Sequence, residues 1–144
     1  EYAKRQHEGE HQPVVLADIE APIFAVGTVW DHVAPWRTTY KIHHLTDTDV
    51  TFLLTTGGHN AGIVSEPGHA GRSYQVMTKT RGSRHLDPEI WLRTAPRSEG
   101  SWWPEWAAWL EARSGGPVPP PAMGAADQGY PPLEDAPGSY VLQD

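Results

Sequence analysis

The stretch that most constrains this chain is residues 52–62, Phe-Leu-Leu-Thr-Thr-Gly-Gly-His-Asn-Ala-Gly. With Val50, the residues Phe52, Leu53 and Leu54 form an apolar run bounded by turn signals, the pattern of a buried strand. The run stops at Gly57-Gly58, and His59 follows at once on a turn between glycines. A strand end that presents a histidine in this way is how α/β enzymes expose a base at the carboxyl edge of their sheet. A hairpin or loop that merely carries a histidine has the same local pattern.

Upstream, Pro22 opens a second compact apolar run, Ile23-Phe24-Ala25-Val26-Gly27, which suits a buried parallel strand with Pro at its first position. Asp31 and His32 lie just past its end. Pro35 marks a helix start, and Trp36, Tyr40 and His44 recur at helical spacing through residue 45. Asp47-Thr48-Asp49 is a turn. Residues 22–64 therefore read strand, loop with Asp31, helix, strand, loop with His59. That order is a βαβ unit, whose crossover predicts parallel strands and puts the acid and the histidine on one rim.

Residues 65–71 are a loop. Residues 73–80 alternate apolar and polar positions as a half-exposed edge strand does. Asp87-Pro88 predicts a short helix, by N-cap and first-turn preferences, that Pro96 stops. Trp102, Trp106, Trp109, Leu110 and Arg113 then recur at three- and four-residue steps after Gly100. Such an aromatic face suits a helix docked on the sheet, or an apolar surface for a greasy substrate or polymer. The organisation expected is a polar lead-in over residues 1–12, a packed part over 13–114 and a Pro/Gly-rich extended tail over 115–144. Seven of the 14 prolines lie at or after position 117, too polar and proline-rich a stretch to pack a core of its own.

Composition removes several function classes. A formal charge of −7 argues against a general nucleic-acid surface. Arg72, Lys79, Arg81 and Arg84 form a local basic group, read either as a solvated strand edge or as a landing site for an anionic substrate. The chain has no cysteine, so it holds no disulfide, no Cys-based zinc site and no thiol nucleophile of its own. His7 and His11, four apart, lack a third metal ligand nearby, and no metal site is expected. No apolar run approaches the length of a membrane span. The first residue is Glu rather than Met, so a piece of a longer protein is expected.

Three motifs carry a resemblance: Gly27-Thr28-Val29-Trp30-Asp31-His32-Val33-Ala34-Pro35-Trp36, Gly57-Gly58-His59-Asn60-Ala61-Gly62 and Gly100-Ser101-Trp102-Trp103-Pro104. In this order they resemble the C-terminal part of the polyhydroxyalkanoate synthases, best the class I (poly-3-hydroxybutyrate) type. The likeness runs from about residue 13 through the tail, yet corresponds to only the last part of a full synthase. It implies an α/β fold, namely the C-terminal portion of an α/β-hydrolase-like domain with a short, mostly parallel sheet, flanking helices and a proline-rich tail. It also implies a Cys–His–Asp triad, in which Asp31 is the catalytic aspartate and His59 the catalytic histidine. The nucleophilic cysteine has no counterpart here, so the chain alone is expected to be inactive.

By the same resemblance the parent is an acyltransferase. It polymerises (R)-3-hydroxyacyl-CoA with release of CoA, and needs no cofactor or metal because the CoA thioester is itself the substrate. His32, beside Asp31, is read either as supporting it by hydrogen bonding or as a partly buried structural histidine, and Trp30 and Trp36 are expected to wall the substrate site. The expected partners are the acyl-CoA, the growing polyester and the N-terminal remainder of the synthase. Self-association is expected of a chain whose sheet lacks its first strands. The implied location is cytoplasmic, with association to polyester granules. Two other readings stand beside this one: a fragment of another α/β-hydrolase, esterase- or lipase-like with an upstream serine, and a non-catalytic granule-binding module.

Overall fold

The computed structural model describes residues 15–143, and the chain divides into two units, Glu1–Arg113 and Ser114–Asp144. The first unit is built on a four-stranded sheet. Its strands are β1 (Ile23–Thr28), β2 (Val50–Thr55), β3 (Ser73–Lys79) and β4 (Arg97–Glu99), adjacent in that order. β1 and β2 run parallel, in register from Ile23 opposite Val50 to Thr28 opposite Thr55. The crossover between them carries α1 (Trp36–Thr39) and α2 (Ile42–Leu45). The βαβ unit is therefore present, and both strands finish on one rim.

Three expectations are corrected. The single helix over residues 36–45 is two separate turns. At their junction the bonding tightens to three-residue spacing, with Lys41 N–H donating to Thr38 O and His43 N–H to Tyr40 O, both at 3.2 Å. The sheet is mixed rather than mostly parallel, because β2–β3 and β3–β4 are both antiparallel. And β3 is not an edge strand: it pairs with β2 from Tyr74 to Lys79, and with β4 over Ser73, Tyr74 and Gln75. β4 itself left no trace in the apolar pattern because all three of its residues are exposed. Backbone pairing holds it, with no side-chain burial.

The register sets Ala25, Phe52 and Met77 abreast on one face of the sheet. Against that face pack Trp36, Tyr40, Trp91 and Ala95. Phe52 is fully buried and meets Tyr40 and Trp91 edge-on, with ring centroids 5.0 and 5.1 Å apart, an arrangement that adds to the burial of apolar area. Trp91 sits on α3 (Pro88–Thr94). As the Asp-Pro pair predicts, Asp87 caps that helix, accepting from Glu89 N–H at 2.8 Å. On the opposite face Phe24 lies against Trp102 and Trp109, at 6.5 and 5.5 Å between centroids. The second of these belongs to α4 (Trp103–Glu111), so the docked-helix reading of the aromatic face fits. Trp106 remains half-exposed.

The second unit contains two single 3-10 turns, Ala126–Gln128 and Tyr140–Leu142, and an antiparallel bridge between Ala125 and Tyr130. Its apolar residues Tyr130, Leu133, Tyr140 and Leu142 are exposed. His7 and His11 of the lead-in lie outside the described residues. No helix among the described residues is long and apolar enough to cross a membrane.

Candidate active site

β1 and β2 stop side by side, and backbone bonds continue the pairing past the ladder. Val29 N–H donates to Thr55 O at 2.9 Å, and Trp30 N–H to Gly57 O at 3.1 Å. The two following loops therefore leave the rim together. This brings Asp31 to His59, with Asp31 Oδ2 and His59 Nδ1 2.8 Å apart.

The loop that carries His59 depends on two glycines. Gly57 has φ +117°, a left-handed backbone, and a Cβ there would come within 2.6 Å of Gly62 Cα. A Cβ on Gly62 would in turn come within 2.5 Å of Thr28 Cγ2. The glycine spacing of the motif thus lets the turn fold flat onto the end of β1.

Asp31 is oriented by its own loop. Its Oδ1 accepts from Val33 N–H at 2.9 Å and from Ala34 N–H at 2.8 Å, while Oδ2 faces the imidazole. The Ala34 N–H and the His59 ring, with Val33 N–H adding to them, hold the carboxyl below its ordinary value of 3.8 against a smaller opposing effect of burial. An ionised carboxylate only accepts, so in the neutral imidazole Nδ1 carries the proton and Nε2 offers its lone pair. The side chain of Asp31 is 9% exposed and that of His59 47%. The acid is hidden and the base is presented.

A carboxyl held lower in the folded chain stabilises it above the unfolded value, and that contribution is lost as pH falls through the folded one. Between pH 6 and 3 the urea midpoint of the wild-type chain is therefore expected to fall more than that of Asp31→Asn, which has no such carboxyl. Parallel losses in the two proteins would contradict the assignment.

No family model matches the chain. Over 130 residues, 90% of its length, it is 40% identical to poly(3-hydroxyalkanoate) polymerase 2 of Ectopseudomonas oleovorans. It is 36% identical over 129 residues to the poly(3-hydroxyalkanoate) polymerase subunit PhaC of Cupriavidus necator, and 35% over 130 residues to that of Rhizobium etli. The chain belongs to the poly(3-hydroxyalkanoate) polymerases. It spans about a fifth of the length of these relatives, between 20% and 22%.

Two site expectations for this polymerase segment do not fit the geometry. His32 is exposed and, among the described hydrogen bonds, makes none to Asp31. The support expected of it comes from the backbone of Val33 and Ala34. Trp36 is only 5% exposed and sits in the core with Tyr40, Phe52 and Trp91, so it walls no open site. Its place at the first turn of α1 aims it over Gly27, where a Cβ would meet the Trp36 Cβ at 3.0 Å. Trp30, by contrast, is 70% exposed beside Asp31. With Val33, Ile63 and Val64, also exposed, it gives the two loops an apolar rim.

The basic residues do not form one patch. β3 separates Arg72 from Lys79 by roughly 20 Å at the rise of an extended strand. Arg72 donates to Ala61 O at 2.7 Å, while Lys79 and Arg84 line a cavity of about 110 Å³ with Tyr40, His43 and Trp91 at the other end of the sheet. Sequence reasoning also missed a use of the Ser-Trp-Trp motif. The indole N–H groups of Trp102 and Trp103 donate to Gly62 O and Ile63 O, at 3.0 and 2.9 Å. The available signal was that a packed indole needs an acceptor for its N–H, and an amphipathic helix face offers none.

Proposed function

We propose that this chain is the C-terminal, α/β-hydrolase-like part of a class I poly(3-hydroxyalkanoate) polymerase and supplies the acid and the base of its acyl-transfer centre. The observation that carries this reading is the 2.8 Å contact between a nearly buried Asp31 and a half-exposed His59. The thiol comes from outside the segment, which has no cysteine, and the segment alone is inactive. Polymer formation from (R)-3-hydroxyacyl-CoA places the working protein at the surface of its polyester granule.

The chemistry assigned to the pair conserves protons at each step. His59 Nε2 takes the proton of the incoming thiol, and the thiolate attacks the thioester carbonyl of the acyl-CoA. A new acyl–sulfur bond forms, the bond to CoA breaks, and the imidazolium returns the proton to the departing CoA sulfur. In elongation the same nitrogen takes a proton from a 3-hydroxyl, whose oxygen attacks the acyl thioester, and gives it to the leaving thiolate. Asp31 keeps Nδ1 protonated and stabilises the cationic ring. Activation of the 3-hydroxyl by Asp31 itself is less well supported, because all of its hydrogen bonds described here run to its own loop and to His59.

The test is CoA release by a full-length polymerase bearing His59→Gln, with Asp31→Asn as the companion. An esterase-like or purely granule-binding role has no counterpart among the named relatives.

β1 pairs only with β2 among the described strands, which leaves its outer edge unpaired, and such an edge templates another strand. Light scattering of the isolated chain is expected to give a mass above that of one copy as concentration rises. A monomer throughout would contradict this.

A further inference from the structure

The turn that carries His59 cannot satisfy its own carbonyls. Its N–H groups are used internally: Gly62 N–H donates to Gly58 O at 2.9 Å, and Ile63 and Val64 N–H both to Asn60 O at 3.0 Å. As at the end of a helix, the carbonyls that follow are left over. Four of them meet side-chain donors from distant parts of the chain. Ala61 O accepts from Arg72 Nη2 at 2.7 Å, Gly62 O from Trp102 Nε1 at 3.0 Å and Ile63 O from Trp103 Nε1 at 2.9 Å. Ser65 O accepts from Ser101 Oγ, which itself accepts from Trp103 N–H.

The sheet explains how these donors converge. β4 pairs with the first three residues of β3, and Gly100 N–H donates to Arg72 O at 2.7 Å, one step beyond that ladder. Arg72 and the Ser101–Trp102–Trp103 segment are thereby fixed to each other before either reaches the loop. This gives a use to β4, which buries none of its residues. The donor types also suit the place. Indole and guanidinium groups offer N–H donors and no acceptor, so they brace the loop without competing with Asp31 for the imidazole proton.

We propose that Arg72, Ser101, Trp102 and Trp103 are positioning residues for the base. They form a clamp on four backbone carbonyls that fixes His59 relative to Asp31 and to the incoming thiol. The proposal rests on the reading of His59 as base. Its physical motive is that a glycine-rich loop of this length has no core of its own, while proton transfer demands placement within fractions of an ångström.

Trp103→Phe and Arg72→Met test the clamp from its two sides. Each removes one donor while keeping much of the side chain, and neither touches the reacting atoms. In the 144-residue chain the readout is exchange of the His59 Nδ1 proton with solvent, followed by imidazole NMR. Each variant is expected to speed exchange about 10-fold with the melting temperature held within a few degrees, and Arg72→Lys, which restores a donor, to recover most of the protection. In the full-length polymerase kcat is expected to fall by about 10- to 100-fold with KM little changed, as a misplaced group costs. Unchanged proton exchange in folded variants overturns the clamp whatever the activity does. Faster exchange combined with full activity in His59→Gln would leave the clamp standing and remove the base.

Discussion

Replacing His59 by Gln in the full-length polymerase is expected to lower CoA release from 3-hydroxybutyryl-CoA by about 10²–10⁴-fold, the usual contribution of a placed general base. The amide of Gln can still donate toward Asp31, but it cannot take a proton from sulfur. The magnitude has two parts that pH separates. An unassisted thiol near its ordinary value is already a few per cent thiolate at pH 7, so ionisation accounts for a loss of no more than about 30-fold. Raising the pH toward 9 should restore that share of the acylation rate. It should not restore elongation, because a hydroxyl is far too weak an acid to benefit. The mutant is therefore expected to release a first equivalent of CoA at high pH and then stall. Near-normal turnover would remove His59 from the mechanism.

Phe52→Ala is expected to give the largest loss of stability, about 3–5 kcal/mol, the range for truncating a fully buried aromatic. Phe52 is central to the core because Trp36, Tyr40 and Trp91 all contact its ring, with centroids 5.0 to 6.2 Å away. None of these stiff rings is able to collapse into the space left behind. Domains of this size are stable by about 5–15 kcal/mol, so the variant sits close to unfolding at ambient temperature. Urea unfolding followed by tryptophan fluorescence reports it, since two indoles flank the site. Trp30→Ala, which removes a larger ring that is 70% exposed, should change the unfolding free energy by no more than about 0.5 kcal/mol. Equal losses in the two variants would mean that the core is placed wrongly.

Legibility in the sequence followed burial. β1 and β2 were visible because their apolar runs are long and end in glycine, and β2 is buried at every position. The pairing of Asp31 with His59 was visible for a related reason: a parallel crossover leaves both strand ends on one rim. β4 was not visible, because three exposed residues held by backbone bonds carry no periodicity. Trp30 and Trp36 look alike in a list of aromatics, yet one is on the rim and the other in the core. The difference lies in which faces the first turn of α1, a tertiary fact. The clamp was hidden for the same cause, since Arg72 and Ser101 become neighbours only once β3 and β4 have paired. The glycines of the histidine turn advertised a tight loop but not what braces it.

The imidazole itself offers the most direct measurement. Long-range ¹H–¹⁵N spectra of the isolated chain, at a pH where its histidines are neutral, distinguish the two tautomers of His59. The pair described here requires the proton on Nδ1, facing Asp31, with Nε2 bare toward solvent, and this preference should weaken in Asp31→Asn. A ring protonated on Nε2 in the wild-type chain, or one indifferent to the carboxylate, would contradict the account.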